Sequence, residues 1–376
     1  MPWQERSIMS QRQEFVTFAR QEDANIAALC RQAGISRKTG YKWLGRVAHG
    51  ESAVADRSRR PHTSPWQTPA GVETQILDLR AAHPSWGGRK LHHRLLAQGV
   101  ADVPAPSTIT AILRRHGQLA ADPPPRDFIR FEHPAPNALW QMDYMGHRPL
   151  DQGRVHPLTL LDDHSRFALL VAACADERHA TVKAQLTAVF CQYGVPHAIL
   201  TDNGSPWATA GMGGLTTLEA WLLHLGVAVW HGRAYHPQTQ GKVERLHGTI
   251  AAEVFTAHPL TDLTAAQHAF TAFRTVYNHE RPHEALAYAV PASRYHPSPR
   301  PFPETMPEIT YGPEDAVRIV TVHGSIQWQR RRQFVSRGLV VGQPVAIRPT
   351  QEDGRWAVFF CHHQVATIDQ HDLEEV

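Results

Sequence analysis

Residues 139–146 read LWQMDYMG and contain the first indication of the fold. On a strand, where successive side chains point to opposite faces, this stretch places Asp143 opposite its apolar neighbours. Further along, the stretch GVPHAILTDNGSPW (residues 194–207) contains a short apolar strand that ends directly at Asp202. Open sheets present ligand-binding groups at the carboxyl ends of their strands. The sequence therefore predicts a sheet with acidic side chains along one edge.

The pattern around these two stretches predicts an α/β domain over residues 137–290. Apolar runs of strand length alternate with longer segments of helical periodicity, and each is bounded by glycine, proline or polar turn residues. Strands are predicted at 137–146, 155–163, 166–173, 198–201 and 227–230, and helices at 179–193, 216–225, 240–256 and 262–278.

A third acidic residue, Glu244, lies in a predicted helix that starts after the turn at 236–241. Two strand carboxylates and one helical carboxylate can share a pair of Mg²⁺ ions, because Mg²⁺ prefers oxygen ligands. Two such ions about 3.5–4 Å apart activate an attacking water or hydroxyl in phosphoryl transfer. We therefore predict Asp143, Asp202 and Glu244 as catalytic metal ligands for Mg²⁺, with Mn²⁺ as a substitute. The sequence has no Walker loop, GxSxG or HExxH motif, which excludes several other enzyme classes.

Each of these acids has a plainer interpretation. Asp162 and Asp163 also end a predicted strand and compete with Asp143, although Asp163-His164-Ser165 favours an Asx-type turn. Asp202 directly follows a strand, where an aspartate often serves only to form a turn. The alternative for Glu244 is an ordinary exposed residue of a helix.

Residues 11–48 have apolar side chains at helical spacing, with a tight turn at Ala33-Gly34-Ile35-Ser36. This is the layout of a helix-turn-helix, whose second helix enters the DNA major groove by its N-terminal end. Residues 1–120 hold 17 basic and 9 acidic side chains, although the whole chain has a net charge of only +3. The alternative is a small helical bundle with a solvated basic face. The predicted DNA contacts on the second helix are Arg37, Lys38, Tyr41 and Lys42.

A second group of three predicted helices occupies residues 71–120, and Ser107-Thr108 is the expected cap of the third. Arg89 and Lys90 follow the Trp86-Gly87-Gly88 turn and are further candidates for DNA contact. The basic residues that end the third helix also suit its dipole, so dipole compensation is the alternative to DNA binding here.

Polar and proline-rich stretches at 51–70, 121–136 and 291–309 predict linkers. They separate a helix-turn-helix domain (1–50), a second one (71–120), the α/β domain (137–290) and a small all-β, barrel-like domain (310–376). The last is predicted from short alternating patterns.

Composition predicts a cytoplasmic protein without a membrane partner. Hydrophobic residues make up 42% of the chain, and neither a secretory signal nor an apolar run of membrane-spanning length is visible. The four cysteines are scattered without a CxxC pair, which argues against a disulfide framework or a four-cysteine zinc site.

Five motifs, in this order and spacing, resemble the integrase catalytic core of DDE transposases, close to the IS481-type insertion-sequence transposases and related to retroviral integrases. The resemblance covers roughly residues 130–295 and implies a ribonuclease H-like fold with a five-stranded mixed sheet flanked by helices. Carried over, it makes Asp143, Asp202 and Glu244 the DDE triad. The motifs are LWQMDYMG, TLLDDHSRF, GVPHAILTDNGSPW, YHPQTQGKVERLHGTI and YNHERPHEAL.

Two departures from that family pattern are visible. The spacing from Asp202 to Glu244 is longer than is common in such enzymes, and the retroviral N-terminal zinc-binding pattern is missing. The GKVER motif leaves the triad assignment intact, and the helix-turn-helix units take the place of the zinc-binding domain.

The resemblance implies a DNA transposase that binds the terminal inverted repeats of its mobile element, cleaves 3′ ends and joins them to target DNA. DNA is then the partner, and the pairing of two ends implies a homo-oligomer, at least a dimer, at the bacterial nucleoid. A metal-dependent nuclease without strand transfer and an inactive regulatory DNA-binding protein remain alternatives. The expected DNA contacts near the cleaved phosphate, for which simple solvation is the alternative, are Lys242, Arg245, Asn203, His236 and Gln238.

Overall fold

The structure is a computed structural model that describes residues 8–49, 56, 67–119, 132–202, 204, 207, 214–232, 241–256 and 259–369. The chain divides into two compact units, residues 1–67 and 68–376, and each is described by itself. In the described part, none of the helices combines the length and apolarity needed to span a bilayer.

The first unit has three helices around a small apolar core. Asn25 and Ser36 cap the second and third helices by accepting hydrogen bonds from backbone N–H groups. Between these helices Gly34 has φ +65°, a conformation that strains other residues. The predicted helix-turn-helix is therefore confirmed. The helices are α1 (Ile8–Ala19), α2 (Ile26–Gln32) and α3 (Arg37–Ala48), and the core residues are Phe15, Val16, Cys30 and Trp43.

The second unit begins with three further helices, α4 (Ala70–Ala82), α5 (Gly88–Ala97) and α6 (Pro106–Arg115). They share a core built on Trp86, which is completely buried. The expected cap at Ser107-Thr108 is wrong, because α6 starts one residue earlier with Pro106 in its first turn. Proline suits this position since its missing N–H would have no partner there.

A mixed sheet forms the centre of the second unit, with β4, β3, β1, β5 and β6 side by side in that order. The β4, β3 and β1 strands pair antiparallel, whereas β5 lies parallel to both β1 and β6. A two-residue strand, β2, adds to the end of β3 and was not predicted. The strands are β1 (Leu139–Tyr144), β2 (Arg148–Pro149), β3 (Arg154–Asp162), β4 (Ala168–Cys174), β5 (Ala198–Thr201) and β6 (Ala228–His231).

Helices cover both faces of this sheet, which gives the expected ribonuclease H-like arrangement. One apolar core lies between the sheet and α7 (His179–Tyr193) and α8 (Thr217–His224). The other lies beneath α9 (Gly241–Ile250) and α10 (Leu263–His279). The α9 helix continues into a π-helical turn at Ala251–Phe255.

The C-terminal module consists of a four-stranded antiparallel sheet and a separate hairpin around one apolar core. The sheet order is β12-β11-β10-β7, and β8 pairs with β9. Leu215 and Ala220, from the α8 region, are buried in the same core. The strands are β7 (Ala316–Ile319), β8 (Ser325–Trp328), β9 (Arg331–Phe334), β10 (Pro344–Pro349), β11 (Arg355–Phe360) and β12 (His363–Asp369).

The segment 291–309, predicted as a linker, packs along the central domain. Phe302 contacts the apolar core beneath α7. The Arg300 guanidinium donates to the backbone carbonyls of Pro196, Leu225 and Gly226. The connection to the C-terminal module is therefore an ordered strap rather than a free spacer.

Candidate active site

The central sheet brings two aspartates to the same edge. Gln141 on β1 is in register with Leu200 on β5, and the two strands are parallel. Asp143 and Asp202 each follow this pair by two residues, so both lie where these strands end. The Asp202 carboxylate also accepts a hydrogen bond from the Gly204 N–H at 3.1 Å, which fixes a turn after the strand.

Helix α9 supplies the third acid. Val243, Leu246 and Ile250 are fully buried against the sheet and hold the helix in place. Glu244 faces a cleft of about 500 Å³ beside them. The cleft is lined by Ser85, Gly241, Glu244, Arg245, Gly248, Thr249, Ala252, Glu253 and Arg281.

The three acids interact electrostatically. Burial raises the pKa of Asp143 to about 7, and the negative charges of Asp202 and Glu244 act in the same direction. Perturbed carboxylates of this kind are common at functional sites. A cation at the site would therefore favour the ionised form of Asp143.

The donor set fits a hard divalent cation, since it consists of carboxylate oxygens whose mutual repulsion a cation would relieve. As the side chains stand, however, no group of three or more His, Cys, Asp or Glu residues in the described ranges is close enough to hold a metal ion. Of the three acids, the cleft beside α9 is lined by Glu244 alone.

A half-buried histidine supports the strand that carries Asp143. The Thr159 hydroxyl donates to the Asp143 carbonyl at 3.0 Å, and His247 Nε2 lies 2.8 Å from the same hydroxyl oxygen. Because the hydroxyl proton is already used, the ring must donate through Nε2. Burial lowers the pKa of His247 to about 4, so the ring is neutral. His247 was not predicted, although it lies one helical turn after Glu244.

Asp162 and Asp163, the alternatives to Asp143, are fully buried and hydrogen-bonded within the fold. Asp162 accepts bonds from the Ser165 N–H and hydroxyl, so Asp162 rather than Asp163 makes the Asx-type turn. Asp163 accepts bonds from Gln141 and from the His133 N–H, and it forms an ion pair with Lys242. Neither carboxylate is available to a ligand.

The ion pair with Asp163 corrects the role expected for Lys242. Its ammonium group also donates to the Asp163 carbonyl at 3.2 Å, and its side chain is only 16% exposed. Lys242 therefore ties the start of α9 to the end of β3, a position that does not favour contact with DNA.

The remaining DNA-binding candidates lie in three settings. Arg245 lines the cleft beside Glu244. Arg89 is exposed and pairs with Glu284, whereas Lys90 is half-buried. Burial, followed by the positive charge of Arg281, lowers the pKa of Lys90 to about 8. The four candidates on α3 have exposed side chains: Arg37, Lys38, Tyr41 and Lys42. The three loop candidates lie outside the described residues: Asn203, His236 and Gln238.

A second pair that sequence reasoning missed is Glu219 and His231. Glu219, on α8, accepts a hydrogen bond from His231 Nε2 at 2.7 Å, and this bond raises the pKa of His231. His231 Nδ1 lies 3.2 Å from the Asp202 carbonyl oxygen. The available signal was the position of His231 at the end of the strand next to Asp202, which a single sequence does not distinguish from an ordinary edge residue.

Comparison with protein families finds matches along most of the chain. Two integrase core domain profiles match residues 133–237, which include Asp143 and Asp202, and residues 225–291, which include Glu244. The C-terminal domain of IS481 family transposases matches residues 315–375. A helix-turn-helix domain matches residues 11–62, and a homeodomain-like domain matches residues 39–113.

Individual relatives match over the central domain. An insertion element IS407 protein of 31.7 kDa from Burkholderia multivorans is 28% identical over 158 residues, 42% of this chain and 55% of that protein. The Pro-Pol polyprotein of simian foamy virus type 3 is 33% identical over 135 residues, 35% of this chain and 11% of the polyprotein. The chain thus spans about half of the first and a tenth of the second.

Among solved structures, the HTLV-2 integrase catalytic core domain in complex with magnesium, in its trimeric form, aligns with 19% identity. The alignment covers 43% of this chain and 99% of that one, with a TM-score of 0.35.

Proposed function

We propose that this chain, which belongs to the IS481-type transposases with an integrase core, is a DNA transposase. It binds the terminal inverted repeats of a mobile element, cleaves the 3′ ends and joins each 3′-hydroxyl to target DNA. The reaction class is metal-dependent polynucleotidyl transfer, in which water and then the 3′-hydroxyl are the nucleophiles. It takes place at the bacterial nucleoid, in the cytoplasm.

The observation that carries this proposal is the parallel pairing of β1 and β5, which brings Asp143 and Asp202 to one edge of the sheet. The charges of Asp202 and Glu244 both act to raise the pKa of Asp143 there. Three carboxylates on two strands and a helix, without a nucleophilic side chain among them, suit in-line transfer between phosphodiesters better than covalent catalysis. An inactive regulatory protein would have no need to keep three repelling carboxylates at one site.

Asp143, Asp202 and Glu244 would hold Mg²⁺, for which Mn²⁺ is a substitute. When bound, the cations activate the attacking oxygen and stabilise the leaving one. The chain itself supplies the orientation: Val243 and its buried neighbours on α9 fix Glu244, and Thr159 holds the backbone of Asp143.

Basic side chains near Glu244 would position the DNA backbone. Arg245 lines the cleft that contains Glu244, whereas Arg281 in the same cleft is paired with Glu253. Lys90 is close enough to Arg245 for that charge to act on its pKa. Arg89, at the start of α5, extends this surface. These groups neutralise phosphates and carry no base specificity of their own.

Recognition of the terminal repeats would fall to α3, whose exposed N-terminal half has the position of a recognition helix in a helix-turn-helix. Its contact residues would be Arg37, Lys38, Tyr41 and Lys42. Asn203, His236 and Gln238 stay predicted loop contacts. Because two ends must be held together for joining, the active form would be a homo-oligomer, at least a dimer on DNA.

The test is a reaction of the full chain with labelled element ends, supercoiled plasmid and Mg²⁺ or Mn²⁺. Cleaved and joined products are separated on a gel, and Asp202→Asn is compared with wild type. We expect the variant to lose both products while it still binds the labelled ends. The matched control is Asp151→Asn, an exposed aspartate in the turn between β2 and β3.

Two results would contradict the proposal. Full cleavage and joining by Asp202→Asn would show that the assigned acids do not carry the chemistry. Cleavage by wild type without any joined product, with both metals and several target plasmids, would identify a nuclease.

A further inference from the structure

A series of hydrogen bonds, buried at Ser336 and part-buried at His231, connects the C-terminal module through the start of α8 to the strand end that carries Asp202. It starts at Ser336, which is completely buried. The Ser336 hydroxyl oxygen accepts a hydrogen bond from the Leu215 N–H at 2.8 Å. Leu215 directly precedes the cap of α8, so the module holds the backbone from which that helix begins.

The next step is a reciprocal cap at the start of α8. The Thr216 hydroxyl accepts a bond from the Glu219 N–H at 3.1 Å, and Glu219 Oε2 accepts one from the Thr216 N–H at 2.5 Å. Such a capping box needs only one carboxylate oxygen. The other, Oε1, is therefore available for His231, whose Nε2 lies 2.7 Å away.

His231 completes the connection at the last residue of β6. Its ring bridges Glu219 Oε1 on one side and the end of β5 on the other, where Nδ1 lies 3.2 Å from the Asp202 carbonyl and 3.3 Å from the Thr201 hydroxyl. The N–H of Gly232 also donates to the Thr201 carbonyl at 2.9 Å. The backbone that presents Asp202 is thus fixed from the β6 side.

The contact between Glu219 and His231 is not needed to form the start of α8. The capping box would be complete with a surface glutamate, yet the Glu219 side chain is only 10% exposed and holds a histidine. Burying such a pair costs desolvation free energy, so its contribution to stability is small. A metal-binding carboxylate, in contrast, gains from supporting groups that fix its position to about 0.5 Å.

We propose that Glu219 and His231 are positioning residues that hold Asp202 for metal binding, and that Ser336 couples the C-terminal module to them. This inference rests on the proposed role of Asp202. It assigns the C-terminal module a part in the geometry of the active site, through α8.

Metal binding by the full chain tests the proposal without reference to catalysis. The readout is the rise in melting temperature on addition of Mn²⁺, since a ligand that binds only the folded state stabilises it by mass action. His231→Phe and Glu219→Ala should need about 10-fold more Mn²⁺ for the same rise, because supporting residues of metal sites contribute about 10–100-fold to affinity. Circular dichroism establishes that each variant is folded.

The conservative variant Glu219→Gln separates the hydrogen bonds of the Glu219 side chain from its negative charge. A glutamine can accept from the Thr216 N–H through its oxygen and donate through its amide to His231 Nε2. The ring can then donate from Nδ1 to the Asp202 carbonyl. We expect this variant to keep the Mn²⁺ response of wild type.

The matched control is His224→Phe. His224 is a half-buried histidine on the same helix, and it bonds the Pro307 carbonyl at 2.7 Å rather than the Asp202 strand. Its Mn²⁺ response should be unchanged. Ser336→Ala should shift the response in the same direction as His231→Phe but by less.

A folded His231→Phe with the Mn²⁺ response of wild type would overturn the positioning role, and an unchanged Ser336→Ala would overturn the coupling to the C-terminal module. Asp202→Asn is measured in parallel. If wild type and Asp202→Asn respond equally to Mn²⁺, the assignment of Asp202 itself fails, which is a different result from failure of the positioning role.

Discussion

Lys242 forms an ion pair with Asp163 two residues before Glu244 on the same helix. Asp163 is completely buried at the start of the β3–β4 turn, and Gln141 and the His133 N–H donate to its carboxylate. The pair therefore fixes the N-terminal turn of α9, and with it the approach of Glu244 to the two strand aspartates.

Removal of Lys242 should affect stability more than DNA affinity. Lys242→Met leaves a buried carboxylate without its cation, which costs roughly 3 kcal/mol of unfolding free energy. Urea titrations followed by tryptophan fluorescence measure the loss. Lys183→Met, which changes an exposed lysine on α7 and removes its cation–π contact with Trp221, is the control and should cost less than about 1 kcal/mol. A stable Lys242→Met protein with weakened DNA binding would return Lys242 to the DNA-contacting group.

Lys90 should make DNA binding sensitive to pH above neutrality. Burial is the main cause that lowers the pKa of Lys90 to about 8. The positive charges of Arg281 and Arg245 lower this pKa further, whereas the negative charges of Glu253 and Glu284 raise it. The protonated amine binds phosphate, so affinity falls as the pH rises through 8. From this group alone we expect about 10-fold weaker binding at pH 9 than at pH 7.

Two variants isolate the contribution of Lys90. Lys90→Arg keeps the charge at both pH values and should remove the pH dependence while it retains binding at pH 7. Lys90→Gln should also reduce the slope of log affinity against log salt by about one. Fluorescence anisotropy with labelled element ends measures both. An unchanged pH profile in Lys90→Arg would place the titrating group elsewhere.

The exposed face of α3 should contribute phosphate contacts that are independent of the cleft. Lys38→Ala is expected to weaken binding to the element ends. It should also reduce the slope of log affinity against log salt by about one, because each neutralised phosphate releases about one counterion. Arg20→Ala, an exposed basic residue just after α1, is the control in the same unit. Equal losses in both variants would indicate a diffuse charge effect rather than docking through α3.

His283 should make the fold acid-sensitive. Burial, and next the charge of Arg281, lower its pKa from 6.5 to about 3, so the folded protein holds the ring neutral. The unfolded chain takes up that proton below pH 6.5, hence stability is fully present above this value and is lost as the pH falls. Between pH 7 and pH 5, protonation of this ring in the unfolded chain lowers the free energy of unfolding by about 2 kcal/mol.

His283→Gln tests this assignment, since it removes the titrating ring and leaves a polar group near the Tyr277 carbonyl that His283 contacts. Unfolding free energies at pH 7 and pH 5 should differ by less in the variant than in wild type. The half-buried His247, whose pKa is also lowered, remains in both proteins and cancels in the comparison. An equal acid loss in both proteins would contradict the assignment.

The sequence predicts the central sheet and its helices well, because each apolar run reflects burial of that element itself. For example, the predicted helix at 179–193 agrees with α7, and the predicted strand at 198–201 agrees with β5. Weak local signals are the ones that fail. The two residues of β2 are too few to form a pattern, and β12 has mostly exposed or half-buried side chains.

The sequence predicts the contacts of the candidate active site less completely than it predicts the fold. The sequence predicts three candidate metal ligands from their positions near the ends of strands or the start of a helix, and these stay predictions: Asp143, Asp202 and Glu244. The hydrogen-bond or ion-pair partner of a side chain, in contrast, depends on residues that are distant in the sequence. Lys242 looks like a surface cation until Asp163 is placed beside it. In the same way, nothing local marks His231 as a neighbour of Glu219, because their contact depends on how β6 and α8 pack.

The apolar core of the C-terminal module includes Leu215 and Ala220, which belong to the central domain in sequence. The boundary between the two domains therefore passes through α8 in space rather than through the strap at 291–309. A chimera that exchanges the C-terminal module between related transposases would have to exchange the matching face of α8 as well. Those helix positions and the module are expected to change together as such proteins diverge.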